Sequence, residues 1–161
     1  MQTYERGNRS EGVVLSAYVN AGLVVSIPFG TGASYDLIID TGGRLFKIQV
    51  KTAWLDGGCL RYHSRRRRGG GYETRRLYRE GEADYFAVYC PQTDDLYAVP
   101  TGKHRTEGRL RLQPAKNRQQ KLIKYAEDYS WEKHIREIKG MATLVGIEPT
   151  ASTSGALRSI H

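Results

Sequence analysis

The segment Tyr35-Asp-Leu-Ile-Ile-Asp40 is followed by Thr41-Gly-Gly43 and then by Arg44-Leu-Phe-Lys-Ile-Gln-Val-Lys-Thr52. Both outer segments contain β-branched and aromatic residues that alternate with polar ones, and the Asp-Thr-Gly-Gly sequence between them is typical of a turn. We therefore predict a β-hairpin, and the remaining elements are expected to be organised around it.

The two predicted strands place unlike chemical groups side by side. Residues two apart in a strand share a face. In the second strand, one face is therefore apolar (Phe46, Ile48, Val50) and the other is polar (Lys47, Gln49, Lys51). In the first strand, Asp36 shares a face with Ile38 and Asp40. A carboxylate of one strand can thus lie beside an amide and an ammonium of its neighbour, which is a suitable set of groups for a metal ion and a phosphate.

Length and charge limit the class of protein. A chain of 161 residues with 39% hydrophobic residues fits one domain, which we predict over residues 1–140. The net charge is +8, and the excess lies in arginine clusters. A polyanion is therefore the expected partner.

The cysteines and the hydropathy indicate the compartment. Cys59 and Cys90 have no zinc-ligand spacing, and a disulfide between them does not follow from the sequence. No stretch is apolar enough for a membrane span, and the N-terminus has no signal-peptide pattern. We expect a soluble cytoplasmic protein without a membrane partner.

A helical stripe precedes the hairpin, over residues 8–22, and Gly22 is expected to end the helix. Glu11 lies three residues after Asn8, where it fits a capping box favoured by the helix dipole. It also fits an acidic ligand that faces the hairpin. The sequence leaves both interpretations open.

An arginine- and glycine-rich arm is predicted over residues 64–79. Flexible cationic segments of this kind lie in solvent or on phosphate, and a solvated surface is the alternative interpretation. Arginine binds phosphate in a bidentate manner, and tyrosines lie among these arginines. The candidate DNA-binding residues are Arg65, Arg66, Arg67, Arg68, Arg75 and Arg76.

The rest of the chain is predicted to complete the sheet and cover it. A buried strand over 82–90 and a strand over 96–100 form a second hairpin, and 109–112 is an edge strand. Asp84, at the entrance of the buried strand, is interpreted as structural rather than as a second acidic site residue. One or two helices are expected within 117–139, and residues 141–161 are expected to be a disordered tail.

The hairpin residues fit hydrolysis of a phosphodiester. Asp36 can bind a metal ion, while Gln49 and the Val50 carbonyl can each offer a neutral oxygen. Lys51 can orient or activate the nucleophile, or neutralise charge on the phosphoryl group. Glu11 would add negative charge from across the site. In the alternative interpretation, Asp36 and Lys51 form only an exposed ion pair.

The order of these motifs resembles the PD-(D/E)XK nuclease superfamily, and in particular its homing endonucleases encoded in group I introns. The likeness is carried by Asn8-Arg-Ser-Glu11, Val25-Ser-Ile-Pro-Phe29, Tyr35-Asp-Leu-Ile, Gln49-Val-Lys51-Thr and Asp84-Tyr-Phe-Ala-Val-Tyr-Cys-Pro91, across about residues 5–130. Tyr35 stands where the superfamily motif has proline, and Gln49 stands where it has a second acid. Gln49 is interpreted as a variant of the motif that retains activity.

The resemblance implies an α/β fold with an α-β-β-β-α-β core and a central mixed sheet. It implies cleavage of double-stranded DNA with Mg²⁺, for which Mn²⁺ is a possible substitute, by a homo-oligomer, either a dimer or a tetramer. The catalytic positions become Glu11, Asp36, Gln49 and Lys51, and the metal ligands become Glu11, Asp36, Gln49 and Val50. Two alternatives stay open: a nuclease similar to the Holliday junction resolvases, and a basic DNA-binding protein without catalysis.

Overall fold

The computed structural model describes residues 3–30, 32–66, 76–103, 108–113 and 123–143. Two α-helices are present in these residues, α1 (Thr3–Asn20) and α2 (Trp131–Thr143), and two 3₁₀ turns lie at Thr101–Lys103 and Ala126–Tyr129. The strands are β1 (Val24–Ser26), β2 (Leu37–Asp40), β3 (Leu45–Thr52), β4 (Trp54–Asp56), β5 (Cys59–Tyr62), β6 (Arg65–Arg66), β7 (Arg76–Leu77), β8 (Tyr85–Cys90), β9 (Asp95–Pro100) and β10 (Gly108–Arg111).

The predicted hairpin is confirmed as the antiparallel pair of β2 and β3. Ile39 lies opposite Phe46 and both are buried, whereas the side chains of Lys47, Gln49 and Lys51 are only partly buried. In the turn, Gly42 has a φ of 85° and its N–H donates to Asp40 Oδ1 at 2.7 Å. The alternation and the turn therefore specify this element locally.

A five-stranded mixed sheet is built around that hairpin, in the order β1-β2-β3-β8-β9. Strand β3 is parallel to β8, and all other neighbours are antiparallel. The second predicted hairpin is confirmed as β8 and β9. With two helices beside this sheet, the predicted α/β fold with a central mixed sheet is confirmed.

The connection between the parallel strands β3 and β8 differs from the predicted order of elements. Strands β4, β5 and β10 form a separate three-stranded sheet, and β6 pairs with β7 in a two-stranded ribbon. Within the described residues of this connection there is no helix, and α2 follows β9. The second described helix thus follows β9 in the chain, and residues 67–75 of the connection lie outside the described residues.

Two hydrophobic clusters hold these layers together. One lies between the sheet and the helices and includes Val14, Tyr18, Ile39, Ile48 and Ile138. The other lies between the sheet and the smaller sheet and includes Leu60, Tyr62, Phe86, Val99 and Leu110. The central sheet is thus covered on both faces around β8, which explains the continuous apolar run of that strand.

Helix α1 begins earlier than the sequence predicts. It starts at Thr3, so Asn8 and Glu11 lie within the helix and the capping-box interpretation of Glu11 is wrong. Its end agrees with the prediction, since Gly22 has a φ of 77° just after the last helical residue. Helix α2 extends to Thr143, three residues into the segment predicted as a tail, and the rest of that segment lies outside the described residues.

Both cysteines are buried and free. In the part of the chain that the structure describes, no helix is long and apolar enough to cross a membrane.

Candidate active site

Asp36 lies directly before β2 and is held by the neighbouring strand. Its backbone N–H donates to the Ile48 carbonyl at 2.8 Å. Its Oδ2 accepts a hydrogen bond from the Val50 N–H at 2.7 Å and another from Gln49 Nε2. Burial raises the pKa of this carboxyl, while the Val50 N–H, the Lys51 charge and the Gln49 amide oppose that rise.

Gln49 occupies the position at which the superfamily motif has an acid. Its amide nitrogen donates to Asp36 and lies 3.3 Å from the Val50 carbonyl oxygen. The predicted group of Asp36, Gln49 and Val50 is therefore brought together at one point of the hairpin. The amide satisfies one oxygen of Asp36 without adding charge.

Glu11 faces this group from helix α1. Partial burial raises the pKa of its carboxyl, and the nearby negative charge of Asp36 raises it further. One turn of the helix is fixed to the sheet beside it, because Ser10 Oγ and Thr52 Oγ1 lie 2.7 Å apart. The start of α1 at Thr3 removes the capping-box interpretation of Glu11, and its role as an acidic ligand stays a prediction.

Lys51 lies on the same polar face of β3 as Gln49, but its ammonium is held by other residues. Nζ donates to the Tyr78 hydroxyl at 3.2 Å and to the Arg65 carbonyl at 3.5 Å. It also lies 5.1 Å from the ring centroid of Tyr78 and 5.6 Å from that of Phe86. Burial lowers the pKa of Lys51 to about 8, and the Asp36 carboxylate opposes this shift.

The donors around Asp36 fit a hard divalent cation. Burial raises the pKa of both carboxyls, and the charge of Asp36 adds to the rise for Glu11, so a bound cation would stabilise the ionised form of each. Carboxylate, amide and backbone carbonyl oxygens are ligands that Mg²⁺ accepts. Among the described residues, no group of three or more His, Cys, Asp or Glu side chains could hold a metal ion. With Gln49 in place of an acid, this site offers only two carboxylates.

The arginines of the predicted arm are described only at its base. Arg65 and Arg66 form β6, and Arg76 begins β7, whereas Arg67, Arg68 and Arg75 lie outside the described residues. The Arg76 guanidinium forms an ion pair with Glu82, with one hydrogen bond at 2.7 Å. Its charge is therefore partly neutralised within the chain. Binding of DNA by these arginines stays a prediction.

Three residues near the site have roles that the sequence did not reveal or only suggested. Tyr78 and Phe86 surround Lys51, and nothing in the local pattern indicates that they approach it. Asp84 Oδ2 accepts a hydrogen bond from the Lys47 N–H at 2.7 Å, which agrees with its predicted structural role. The position of the Asp84 carboxylate directly before a buried strand was the sequence feature that predicted this role.

Comparison with known proteins agrees with this arrangement. The model of the PD-(D/E)XK endonuclease family matches residues 1–132. The solved structure of a bacterial homing endonuclease, I-Ssp6803I, is similar, with a TM-score of 0.71 and 25% sequence identity over 89% of this chain and 99% of that one. No curated protein sequence matches the chain.

The family match extends over most of the chain and includes every residue predicted for the catalytic group. Nucleases of this family act on DNA and generally use divalent metal ions. The resemblance inferred from the motifs is thereby confirmed, together with the nuclease fold and the nuclease function that it implied. The chain belongs to the PD-(D/E)XK endonuclease family.

Proposed function

We propose that this endonuclease cuts both strands of double-stranded DNA at a specific site, in the manner of a homing endonuclease, and that Mg²⁺ is its metal ion, with Mn²⁺ as a substitute. The observation that carries the proposal is the convergence of Asp36, Gln49 and the Val50 backbone on one point of the hairpin, with Glu11 facing them. The similar homing endonuclease structure supports the choice of this branch of the family.

Four groups would hold the metal ion: the carboxylates of Glu11 and Asp36, the carbonyl of Val50 and the amide oxygen of Gln49. The Gln49 amide would have to turn over for this, because its nitrogen now faces Asp36 and the Val50 carbonyl. When bound, a divalent cation polarises the phosphoryl group and lowers the pKa of a coordinated water. The chain itself supplies the geometry. The Val50 N–H fixes Asp36 at one oxygen, and the bond between Ser10 and Thr52 fixes the helix that carries Glu11.

Lys51 supplies the cation of the site. With a pKa of about 8, it is mostly protonated at pH 7, so it neutralises charge on the phosphoryl group. At higher pH a larger fraction is neutral and can accept a proton from the attacking water. Both roles require the Lys51 nitrogen, as ammonium or as amine, to lie beside the scissile phosphate.

The charge of the chain serves DNA binding. A net charge of +8 with arginines concentrated at 64–79 favours salt-sensitive contacts with phosphates, and one or two of these arginines reach guanine edges in the major groove. One Asp36–Lys51 centre cuts one strand, so a double-strand cut requires two copies. We therefore propose a homo-oligomer, a dimer or a tetramer, which acts in the cytoplasm.

The test is incubation of the purified protein with a DNA library that contains the DNA around its own gene, joined without any intron, with Mg²⁺ or with a chelator, and sequencing of the resulting ends. Cuts at one sequence that require Mg²⁺ are expected. Lys51→Ala is expected to lower the cleavage rate about 10²- to 10³-fold, the usual cost of removing one group that stabilises the transition state. Asp36→Ala is expected to abolish cleavage and retain DNA binding.

Lys47→Ala is the matched control, because it removes an ammonium from the same face of the same strand. Its Nζ donates to the Gly81 carbonyl at 2.9 Å, away from Asp36. Equal loss of activity in Lys47→Ala and Lys51→Ala would contradict the assignment of Lys51. Preference for a four-way junction irrespective of sequence would instead favour a resolvase, and DNA binding without cleavage would favour a basic binding protein.

A further inference from the structure

Tyr78 approaches the active site from outside the predicted motif. It follows β7 directly, and its hydroxyl oxygen accepts a hydrogen bond from Lys51 Nζ at 3.2 Å. The same ammonium lies 5.1 Å from the centroid of the Tyr78 ring. One side chain therefore contacts the Lys51 ammonium both through a hydrogen bond and through its ring.

The position of Tyr78 is itself fixed by packing. Its ring meets the ring of Phe86 edge to face, with the centroids 5.0 Å apart and an interplanar angle of 79°. Phe86 lies in β8, an inner strand of the central sheet, and is 1% exposed. Because Phe86 has no room to move, it restricts the Tyr78 ring.

Ionic and backbone contacts anchor the segment that carries Tyr78. Two nitrogens of the Arg76 guanidinium bind the two carboxylate oxygens of Glu82, and the Arg79 N–H donates to Glu82 Oε2 at 2.7 Å. Bidentate pairs of this kind restrict both side chains. Glu82 thus binds the chain on both sides of Tyr78, three residues before β8 begins.

Lys51 depends on these contacts for its position. Within the described residues, its Nζ forms hydrogen bonds only with Tyr78 and with the Arg65 carbonyl, at 3.5 Å, and it forms no ion pair with Asp36. Arg65 and Tyr78 both lie at the base of the ribbon formed by β6 and β7. A long, flexible lysine side chain without such partners would occupy several rotamers.

We propose that Tyr78 is a positioning residue of the active site, which holds the Lys51 ammonium beside the scissile phosphate through its hydroxyl and its ring. This inference rests on the proposed nuclease function. It also connects the ribbon at the base of the arginine-rich arm with the catalytic group, since Tyr78 directly follows β7 of that ribbon.

The first experiment separates binding from catalysis. Tyr78→Phe removes the hydroxyl and keeps the ring, and Tyr78→Leu removes both. We expect the single-turnover cleavage rate at saturating protein and Mg²⁺ to fall about tenfold in Tyr78→Phe and further in Tyr78→Leu, because a hydrogen bond to a charged group is lost. The Kd for DNA measured in Ca²⁺ should stay within about twofold of the parent, as expected for a group that does not contact DNA.

Tyr85→Phe is the matched control. It also removes a tyrosine hydroxyl from a partly buried ring, but the Tyr85 ring packs on Phe46 and His134 at the helical face of the sheet. We expect parental cleavage from this variant. A parental rate in Tyr78→Phe, or an equal loss in Tyr85→Phe, would overturn the proposal.

A double-mutant cycle tests the contact without using activity. Unfolding equilibrium constants are measured by urea titration for the parent, Tyr78→Phe, Lys51→Met and the double variant. We expect the unfolding equilibrium constant of the double variant to differ about fivefold from the value that the two single variants predict together, since both single variants remove the same hydrogen bond. Strict additivity would overturn the proposal.

The two proposals fail in distinguishable ways. If the parent cuts no DNA, the nuclease proposal fails, and the positioning role of Tyr78 fails with it, whatever the cycle gives. If the parent cuts DNA and Tyr78→Phe cuts equally fast, only the role of Tyr78 is refuted.

Discussion

The substitution Gln49→Glu is expected to make the stability of the fold dependent on pH and on divalent cations. In the structure, Gln49 Nε2 donates a hydrogen bond to Asp36 Oδ2. A glutamate at this position removes the donor and places a second carboxylate against the first. The variant also restores the acid that the PD-(D/E)XK motif has at this point, so it measures what the amide contributes.

The expected cost follows from the two ways in which the pair can respond. If both carboxyls stay ionised, the loss of a hydrogen bond to a charged group costs about 1.5–3 kcal/mol, before any repulsion is counted. If one carboxyl takes up a proton, the hydrogen bond is restored, but protonating a group of ordinary pKa near 4.3 costs about 5 kcal/mol at pH 8 and about 1 kcal/mol at pH 5. We therefore expect a loss of about 3–4 kcal/mol at pH 8 and about 1 kcal/mol at pH 5.

The sign of the pH dependence is fixed by the direction of the pKa shift. The like charge raises the pKa of the pair in the folded state above its value in the unfolded chain. A group of this kind contributes stability at pH values below its unfolded pKa and loses it as the pH rises through the folded pKa. The variant should thus be closest to the parent at acidic pH.

Urea unfolding at pH 5, 6 and 8, in chelator and then in Mg²⁺, measures these quantities. Mg²⁺ at pH 8 should stabilise Gln49→Glu more than the parent, because an ion that binds only the folded state stabilises it by mass action. Gln49→Met is the control: it loses the hydrogen bond without adding charge, so its cost should change little between pH 6 and 8. A Gln49→Glu variant within about 0.5 kcal/mol of the parent at pH 8 would refute the contact with Asp36.

Tight packing at Gly108 and burial of His134 give two further predictions, both measured by urea unfolding. A Cβ on Gly108 would lie 2.0 Å from Tyr62 Cζ, and the Tyr62 ring is fully buried. Gly108→Ala should therefore lower the free energy of unfolding by at least about 3 kcal/mol. Gly102→Ala is the control and should be close to neutral, because no atom lies within 4 Å of its added Cβ. Parental stability in Gly108→Ala would contradict the packing. Burial lowers the pKa of His134 from 6.5 to about 4. Between these pH values the unfolded chain binds more protons than the folded chain, so the free energy of unfolding should fall by up to about 3 kcal/mol as the pH drops from 6.5 to 4. His134→Phe should reduce this loss, and an unchanged pH dependence would show that His134 is not its source.

The parts of the fold that follow from neighbouring residues could be predicted. Alternation in 35–52 and the turn at Gly42 specify β2 and β3, and through them the convergence of Asp36 with Gln49. The hairpin of β4 and β5 could also have been found, since Gly57 and Gly58 both have positive φ and form a typical turn. Its first strand is short and follows β3 after one residue, which hides the boundary.

The remaining features depend on contacts between residues far apart in the chain. The apolar run of β8 predicts that the strand is buried, but no local pattern reports that β3 is its parallel partner. Tyr78 reaches Lys51 only because Phe86 and Glu82 hold it there. The start of α1 at Thr3 was missed because Asn8 is a good N-cap residue by type, although here it lies inside the helix.

The ribbon of β6 and β7 has a consequence for protein engineering. Arg66 pairs with Arg76, so the two ends of the intervening segment are already held side by side. The sequence predicts that this segment is flexible, so replacing it by one of different length is expected to cost little, since each doubling of loop length adds only about 0.6 kcal/mol. New DNA targets can therefore be sought by exchanging residues 67–75 as a cassette, provided that the register of Arg65 with Leu77 is kept and the support of Lys51 stays in place.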